Sequence, residues 1–306
     1  MTKKSAVLVG VFGALTTLSG LVACTSSKTA APTTTTTAPA TTTTVATTST
    51  IPVPTGPTKI VSLSPTATEI LFAIGAGPQV IAVDDQSNFP ANAPVTDLSG
   101  YTPNVEAIAK YAPDLVITQD DTAIKGGLAA LKITLISQPP AATIDDSYKQ
   151  ITELGKATGH PNEAKKLVES MTADMAAVYA SAPKSSAGTS FYYELDNTYY
   201  SVSDKSFLGN LLAKFGLKNI ANAADKQSTG YPQLSSEAIV AANPTFIFLA
   251  DSKCCAQTAG TVSARPGWAT IDAVTKKKII VLDDDIASRW GPRIVSLLKQ
   301  VSDAIK

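Results

Sequence analysis

The sequence contains one histidine, three cysteines and three arginines in 306 residues. A single histidine excludes zinc sites that need two imidazoles, and it leaves only His160 for any histidine-based catalysis. Three cysteines are too few for a disulfide-stapled scaffold. The 25 basic and 25 acidic side chains cancel, which argues against a nucleic-acid-binding protein, because phosphate contacts need a basic domain. With 44% apolar residues the chain can bury a core, and its length suggests two domains.

Residues 1–23 have the pattern of a bacterial secretion signal. Lys3 and Lys4 precede an apolar run over residues 6–23 that is interrupted by glycine and threonine. The run is about long enough to cross a bilayer, so a transmembrane anchor is the alternative. It ends in Leu-Val-Ala-Cys24, which resembles the lipobox of bacterial lipoproteins, where the cysteine becomes the lipidated N-terminus. We therefore predict cleavage before Cys24, a lipid anchor on this residue and a location on the extracytoplasmic face of the cell membrane.

Residues 24–58 combine this cysteine with a segment of strongly biased composition. Beyond Cys24 the segment is almost wholly threonine, alanine, proline and serine, and Lys28 is its one charged residue. Without a periodic apolar pattern it cannot bury enough surface to fold. We expect a disordered tether between the membrane and the globular part, with a composition that also permits O-glycosylation.

From Lys59 onward, strands alternate with helices, a pattern that predicts parallel sheets. The predicted strands are residues 59–64, 80–83, 114–118, 133–136, 189–194, 245–249 and 278–282. The predicted helices are residues 66–74, 103–110, 128–131, 161–181, 207–215, 236–242 and 294–305. Helix 161–181 is the longest, since its apolar residues keep a helical period for about five turns without an internal glycine or proline. His160, at its start, is interpreted as a helix cap rather than a ligand.

An internal repeat relates the two halves of this region at an offset of 131 residues. The segment 104–118 aligns without gaps to the segment 235–249, and Glu106 falls on Glu237. The repeat predicts duplicated α/β lobes with a cleft between them. Parallel sheets bind ligands beyond the carboxyl ends of their strands, so the cleft is the expected binding site.

Three segments carry a resemblance to a known family. Residues 59–84, the pattern Glu-Ala-Ile-x4-Pro-Asp-Leu-Val-Ile at 106–117, and Arg-Pro-Gly-Trp at 265–268 are similar to class III substrate-binding proteins. Members of this family serve ABC importers of vitamin B12, ferric siderophores and haem. The resemblance covers nearly the whole chain from Lys59 to Lys306.

The resemblance implies an α/β fold in which two Rossmann-like lobes with parallel sheets are joined by one long rigid helix. It implies an N-terminal lobe at 59–159, a bridging helix at 160–182 and a C-terminal lobe at 183–306. The implied protein is a monomer that captures a large chelate and delivers it to a permease dimer, without catalysis and without a resident cofactor or metal. Glu106 and Glu237 would each meet the permease, one on each lobe. The alternative for these glutamates is a favourable interaction with the helix dipole.

The ligand cleft is expected to collect residues that follow strand ends, although each could equally be an ordinary turn or surface residue. In the N-terminal lobe these candidates are Ser64, Pro65, Thr66, Asp84, Asp85, Ser87, Tyr101, Gln119 and Asp120. In the C-terminal lobe they are Glu194, Asp196, Tyr199, Tyr231, Asp251, Arg289 and Trp290.

The scarcity of arginine bears on which chelate is bound. An anionic catecholate siderophore needs several cationic groups in the cleft, and the chain has only three arginines. A bulky, near-neutral corrinoid such as vitamin B12, held by stacking and hydrogen bonds, fits better. A ferric hydroxamate siderophore is a close alternative. Haem is a third, although it needs an axial ligand, and the position of His160 leaves tyrosine for that role.

Two further features leave alternatives open. Cys254 and Cys255 would be the only thiols left after lipidation, and in an oxidising compartment we favour a vicinal disulfide over free thiols that bind a soft metal. Residues 283–285 are three aspartates, for which a solvated turn is favoured over a cation site.

A surface-anchored hydrolase is the alternative function of another class. The sequence has no Gly-x-Ser-x-Gly elbow and no histidines at metal-ligand spacing to support it.

Overall fold

The computed structural model describes residues 56–306. The predicted signal segment, Cys24 and nearly all of the threonine-rich segment lie outside the described residues. Within residues 56–306, no helix combines the length and the apolar character needed to cross a bilayer.

The N-terminal lobe is a four-stranded parallel sheet with the strand order β2-β1-β3-β4. Its elements are β1 (Ile60–Leu63), α1 (Pro65–Ala73), β2 (Val80–Val83), α2 (Val105–Ala109), β3 (Leu115–Thr118), α3 (Lys125–Ala130), β4 (Thr134–Ser137) and α4 (Ile144–Thr158). Ser64 caps α1 by accepting a hydrogen bond from the Ala67 amide, and Pro65 occupies its first position, where no donor is needed.

The C-terminal lobe repeats this arrangement in the order β6-β5-β7-β8, also parallel. The helix α5 (Pro161–Ser181) leads into it. The elements that follow are β5 (Ser190–Glu194), α6 (Phe207–Ala213), β6 (Lys218–Asn219), α7 (Ser236–Ala242), β7 (Phe246–Leu249), α8 (Ser252–Cys255), α9 (Ala259–Ser263), α10 (Asp272–Thr275), β8 (Ile279–Val281), α11 (Asp284–Ala287) and α12 (Ile294–Ala304).

The sequence repeat is also a repeat of strand register. Ile60 pairs with Leu115 in the first sheet, and the residues 131 positions later, Phe191 and Phe246, pair in the second. The fold class predicted from the sequence is confirmed, because two parallel sheets of the same strand order flank the long helix α5.

A continuous apolar core runs beneath α5 and joins the two lobes. Met171 and Met175 on α5 are buried in one cluster with residues of both sheets. On either side, α4 and α12 pack along α5. His160 stands at the cap position of α5 but makes no side-chain capping bond, because its Nδ1 lies 2.9 Å from the Thr158 carbonyl oxygen. The predicted position of His160 as the cap residue of α5 is confirmed, although its side chain makes no capping bond.

A buried ion cluster also joins the lobes, and we call it the Glu69 latch (Glu69, Arg289 and Arg293). Glu69 lies on α1 in the N-terminal lobe and is buried. Arg289 Nη1 donates to Glu69 Oε1 over 2.8 Å, and Arg293 Nε donates to Glu69 Oε2 over 3.0 Å. A second bond joins Arg293 Nη2 to Glu69. The segment after β8 is thereby attached to the opposite lobe.

Candidate ligand-binding cleft

Two contiguous cavities of about 450 and 460 Å³ lie beyond the carboxyl ends of the two sheets. Three residues, Gln86, Asp285 and Ser288, line both cavities, so the two form one groove with a wall from each lobe. The N-terminal wall also includes Leu63, Pro65, Asp84, Asp85, Ser99, Gly100, Tyr101, Gln119 and Arg289. The C-terminal wall also includes Tyr193, Leu195, Ala250, Lys253, Cys254, Asp284 and Ala287.

The N-terminal wall combines a buried carboxyl group with exposed polar and aromatic groups. Asp84 is buried directly after β2, and its burial raises the pKa of this carboxyl. Gly100 packs so closely on Asp84 that a Cβ there would collide with the carboxylate, so glycine is required. Gln119 donates to the Ser64 hydroxyl over 3.2 Å, which orients its side chain at the cavity wall. Tyr101 at the rim is 96% exposed and is free to stack on a ligand.

Part of the C-terminal wall is formed by α8, which the acidic run at 283–285 holds in place. The Asp284 carboxylate accepts hydrogen bonds from the Ser252 amide and hydroxyl and from the Lys253 amide. The Cys254 amide also donates to it. Asp284 therefore caps α8 from another element, and the three aspartates are structural rather than a solvated turn. No cluster of three potential metal ligands occurs among residues 56–306.

Cys254 and Cys255, at the end of α8, are joined as a vicinal disulfide in the structure. Cys254 contributes to the wall of the C-terminal cavity. The sulfur pair thus presents an apolar surface at the cleft, while the oxidation state of the thiols in the cell stays a prediction.

The charge of the cleft is negative. Four aspartates line it, Asp84, Asp85, Asp284 and Asp285, against two cations. Both cations are already engaged. Arg289 donates to Glu69, to the Gln86 carbonyl and to Asn88, and Lys253 Nζ lies 2.7 Å from Asp285 and 3.0 Å from Asp283. The cleft therefore favours a neutral or cationic ligand over an anionic one.

The third arginine is also engaged inside the fold. Arg265 forms two parallel hydrogen bonds of 2.6 and 2.5 Å with Glu194, which is fully buried at the end of β5. Its guanidinium lies 5.3 Å from the Tyr199 ring centroid and 4.6 Å from that of Trp268. None of the three arginines is left over to bind an anionic group of a ligand.

Of the candidate ligand residues, the structure places some at the cleft and others elsewhere. Those that line the groove are Pro65, Asp84, Asp85, Tyr101, Gln119 and Arg289. Ser64 supports Gln119, and Thr66 and Ser87 are buried behind the wall.

The remaining candidates do not line the groove. Tyr199 stacks on Trp268 with centroids 5.9 Å apart, and Trp290 is buried with its Nε1 donating to Gln150 on α4. Asp120 and Asp196 each accept from a threonine two residues later in a local turn. Tyr231 is exposed beyond the groove, and Glu194 and Asp251 lie buried beneath it. Tyr199 packs within its own lobe and Trp290 packs on α4 of the other lobe, so neither aromatic ring lines the groove as expected.

Several groove residues were missed from the sequence. Gln86, Ser288 and Lys253 follow no strand directly, and they meet only because the segment 284–289 crosses to the opposite lobe. A polar side chain alone does not indicate that a residue lies in the groove. The three consecutive aspartates at 283–285 were the one sequence feature that marked this segment.

Glu106 and Glu237 occupy the same place in the two lobes. Each is the second residue of its helix, α2 or α7, behind a capping Asn104 or Ser235 whose side chain accepts from the amide three residues later. Both glutamates are exposed. Because these helices run antiparallel to the following strands, both carboxylates stand at the carboxyl edge of their sheets, where the cleft also opens.

A larger concavity of about 880 Å³ lies elsewhere, along the outer face of α4. Apart from Ile136, all of its lining residues belong to α4, where the acidic Asp145 and Glu153 alternate with the basic Lys149 and Lys156. It lacks convergent polar groups from separate elements, so the smaller inter-lobe groove is the better candidate site.

Comparison with known proteins defines the class of this fold and site. A family model described as periplasmic binding protein matches residues 60–286. The chain therefore belongs to the periplasmic binding protein family, and the substrate-binding class predicted from the sequence is confirmed.

The chain is similar to proteins from several organisms. An uncharacterized ABC transporter substrate-binding lipoprotein of Bacillus subtilis (strain 168), YvrC, is 31% identical over 259 residues, which cover 81% of this chain and 80% of YvrC. A cobalamin-binding protein of Halobacterium salinarum is 27% identical over 259 residues, covering 81% of this chain and 69% of that protein. The crystal structure of a possible iron-binding periplasmic protein from Staphylococcus epidermidis matches with a TM-score of 0.69 and 25% identity, covering 81% of this chain and 98% of that one.

Proposed function

We propose that this protein is a lipid-anchored, extracytoplasmic binding protein that captures a corrinoid and delivers it to an ABC permease. The single observation that carries the choice of ligand is the charge of the groove. Its four aspartates outnumber two cations that are already paired, so the groove suits a large near-neutral chelate rich in amide donors. Capture requires no chemical step.

The size of the groove supports a large ligand. The two cavities share three residues and together span both lobes, and their volumes lie within the range of pockets that bury drug-sized ligands. Tyr101 at the rim offers a flat aromatic surface, and Gln86, Gln119 and Ser288 offer both donors and acceptors. The similarity to a cobalamin-binding protein supports the same choice.

Binding experiments separate the candidate ligands. We expect isothermal titration calorimetry of the mature soluble domain to detect cyanocobalamin binding. Hemin should bind more weakly, because its two propionates would face the aspartates. A neutral or cationic ferric hydroxamate also suits a negatively charged groove. If a ferric hydroxamate binds and cyanocobalamin does not, the ligand is a hydroxamate siderophore rather than a corrinoid. Tight hemin binding without a response to the other two would refute the argument from charge.

A rim variant tests where the ligand lies. Tyr101→Ala should weaken cyanocobalamin binding by roughly 3- to 10-fold, the effect of losing one aromatic stacking partner. The control is Leu131→Ala. Leu131 follows the last residue of α3, its side chain is 52% exposed, and its loss should leave the affinity unchanged. Equal affinities for both variants would place the ligand outside this groove.

Delivery is proposed to occur through Glu106 and Glu237. Their equivalent positions in two lobes of the same topology suit a two-fold permease that offers one basic site to each lobe, through charge-assisted hydrogen bonds. The rigid connection of the lobes supports this role, because α5 and the Glu69 latch keep the two carboxylates at a constant separation.

A further inference from the structure

Two buried carboxyl groups, Glu194 and Asp251, follow neighbouring strand ends in the C-terminal lobe, since Glu194 pairs with Leu249 and its carbonyl oxygen accepts from the Ala250 amide over 3.0 Å, one residue before Asp251. Asp251 follows β7 and is fully buried, and neither of its carboxylate oxygens has a hydrogen-bond partner among the described residues. Glu194, at the end of the adjacent strand β5, is also fully buried and accepts two hydrogen bonds from Arg265, which donates a third to Gln257. Two carboxylates and one guanidinium leave one negative charge without compensation.

The surroundings of Asp251 do not supply the missing positive charge. The titratable groups that face it are Glu194, Tyr192 and Tyr193 on β5, Arg265 after α9, and Asp284 on α11. Arg265 is the one cation in this set, and it is occupied by Glu194. Burial, reinforced by the negative charge of Glu194, raises the pKa of Asp251 to about 7. Neutral Asp251 has a hydroxyl donor, and ionised Asp251 has none.

Asp251 also immediately precedes α8. The Cys255 amide donates to the Asp251 carbonyl oxygen over 3.2 Å, and the Gln257 amide donates to the same oxygen over 3.3 Å. Lys253 and Cys254 on α8 line the cleft. Asp284, whose carboxylate caps α8, also faces the Asp251 carboxyl, so a negative charge on Asp251 repels the group that holds α8 in place.

We propose that Asp251 and Glu194 share one buried proton, which the Asp251 carboxyl donates to a Glu194 oxygen, and that release of this proton to solvent loosens α8 and the cleft wall it forms. The shared proton depends only on the buried cluster. Its effect on ligand capture rests, in addition, on the proposed function.

The sign of the pH dependence follows from the two protonation states. In the unfolded chain an aspartate releases its proton near pH 4. Between about pH 4 and 7 the folded protein thus binds a proton that the unfolded chain does not, and its stability falls as the pH rises through this range. The contribution of the shared proton is complete below pH 4 and is lost above about pH 7.

The first test uses Asp251→Asn, whose neutral amide can donate to Glu194 at every pH. The melting temperature of the wild type should fall between pH 5.5 and 8, whereas that of the variant should fall less, so that the variant is the more stable protein at pH 8. The matched control is Asp120→Asn at the equivalent position of the N-terminal lobe, which is exposed and should keep the wild-type pH dependence. An Asp251→Asn protein that is less stable than the wild type by the same amount at both pH values would overturn the proposal.

The second test needs no variant. Hydrogen exchange of the segment 251–258 in the wild-type protein, corrected for the intrinsic pH dependence of exchange, should show about tenfold lower protection at pH 6 than at pH 5 and less than about twofold further loss from pH 7 to 8, because one proton is linked to the opening below the folded-state pKa. Protection that is constant from pH 5.5 to 8 would contradict a shared proton.

Measuring cyanocobalamin affinity as a function of pH separates this proposal from the choice of ligand. Cyanocobalamin affinity should fall over the same pH range as the protection. If cyanocobalamin does not bind while the exchange and melting results are as expected, the shared proton stands and the corrinoid assignment fails. If cyanocobalamin binds with an affinity independent of pH, the effect on the cleft wall is refuted.

Discussion

The Glu69 latch leads to a prediction whose size can be worked from the structure. Glu69→Gln keeps the shape of the side chain and removes its charge, and it leaves Arg289 buried and Arg293 part-buried beside a neutral group. Removing one partner of a buried ion pair costs about 3–5 kcal/mol, because the remaining charge stays desolvated. For a folded region of about 250 residues this corresponds to a decrease of roughly 10 °C in the melting temperature.

Thermal unfolding followed by circular dichroism at pH 7 measures this effect. The control is Glu169→Gln, which removes an exposed pair with Lys165 at 3.8 Å on α5 and should cost no more than about 0.5 kcal/mol. Replacing Glu69, Arg289 and Arg293 together by apolar residues of similar size should recover much of the loss. If Glu69→Gln destabilises the protein no more than the control does, the latch does not hold the lobes together and the reasoning is refuted.

Two further predictions concern delivery and anchoring. Replacing Glu106 and Glu237 together by arginine should abolish uptake of the ligand by cells while the purified domain keeps its affinity, and a parallel loss of ligand binding would contradict a docking role. Changing Cys24 to serine should release the protein from the membrane fraction, since the predicted lipid can no longer be attached, and membrane retention of the variant would show that another anchor operates.

The sequence predicted most of the fold because its signals were local or repeated. The bounds of α5 agree at both ends with Pro161–Ser181, where one proline opens the helix and Pro183 follows it. The 131-residue repeat predicted two equivalent α2–β3 and α7–β7 units, and the strand pairing has that offset as well.

The helix α4 was missed, although it has 15 residues. Its mean composition is polar, but Ile144, Ile151 and Leu154 lie on one helical face, and two signals at its ends were also available. Thr143 and Asp146 form a capping box, and Gly159 ends the helix in the left-handed conformation. Reading helix ends as well as apolar periods would have located it.

The site was less predictable than the fold, because its walls come from segments that are far apart in the chain. Residues directly after strands, such as Pro65 and Asp85, do line the groove, and their contact with a ligand stays a prediction. Trp290 was expected there but is covered by α4, and burial of an aromatic ring depends on neighbours that the sequence does not specify. The same holds for Asp251, whose burial beside Glu194 follows from strand adjacency across the sheet.

The long separation of the partners in the Glu69 latch has a consequence for how this protein is made. Arg289 lies 220 residues after Glu69 and Arg293 lies 224 residues after it. The N-terminal lobe is synthesised first. The carboxylate of Glu69 therefore stays without its arginine partners, and exposed to water, until almost the last residues of the chain have been added. A chain cut short before Arg289 would never complete its first lobe, so premature termination and proteolysis near the C-terminus should be as damaging as lesions in the middle of the first sheet.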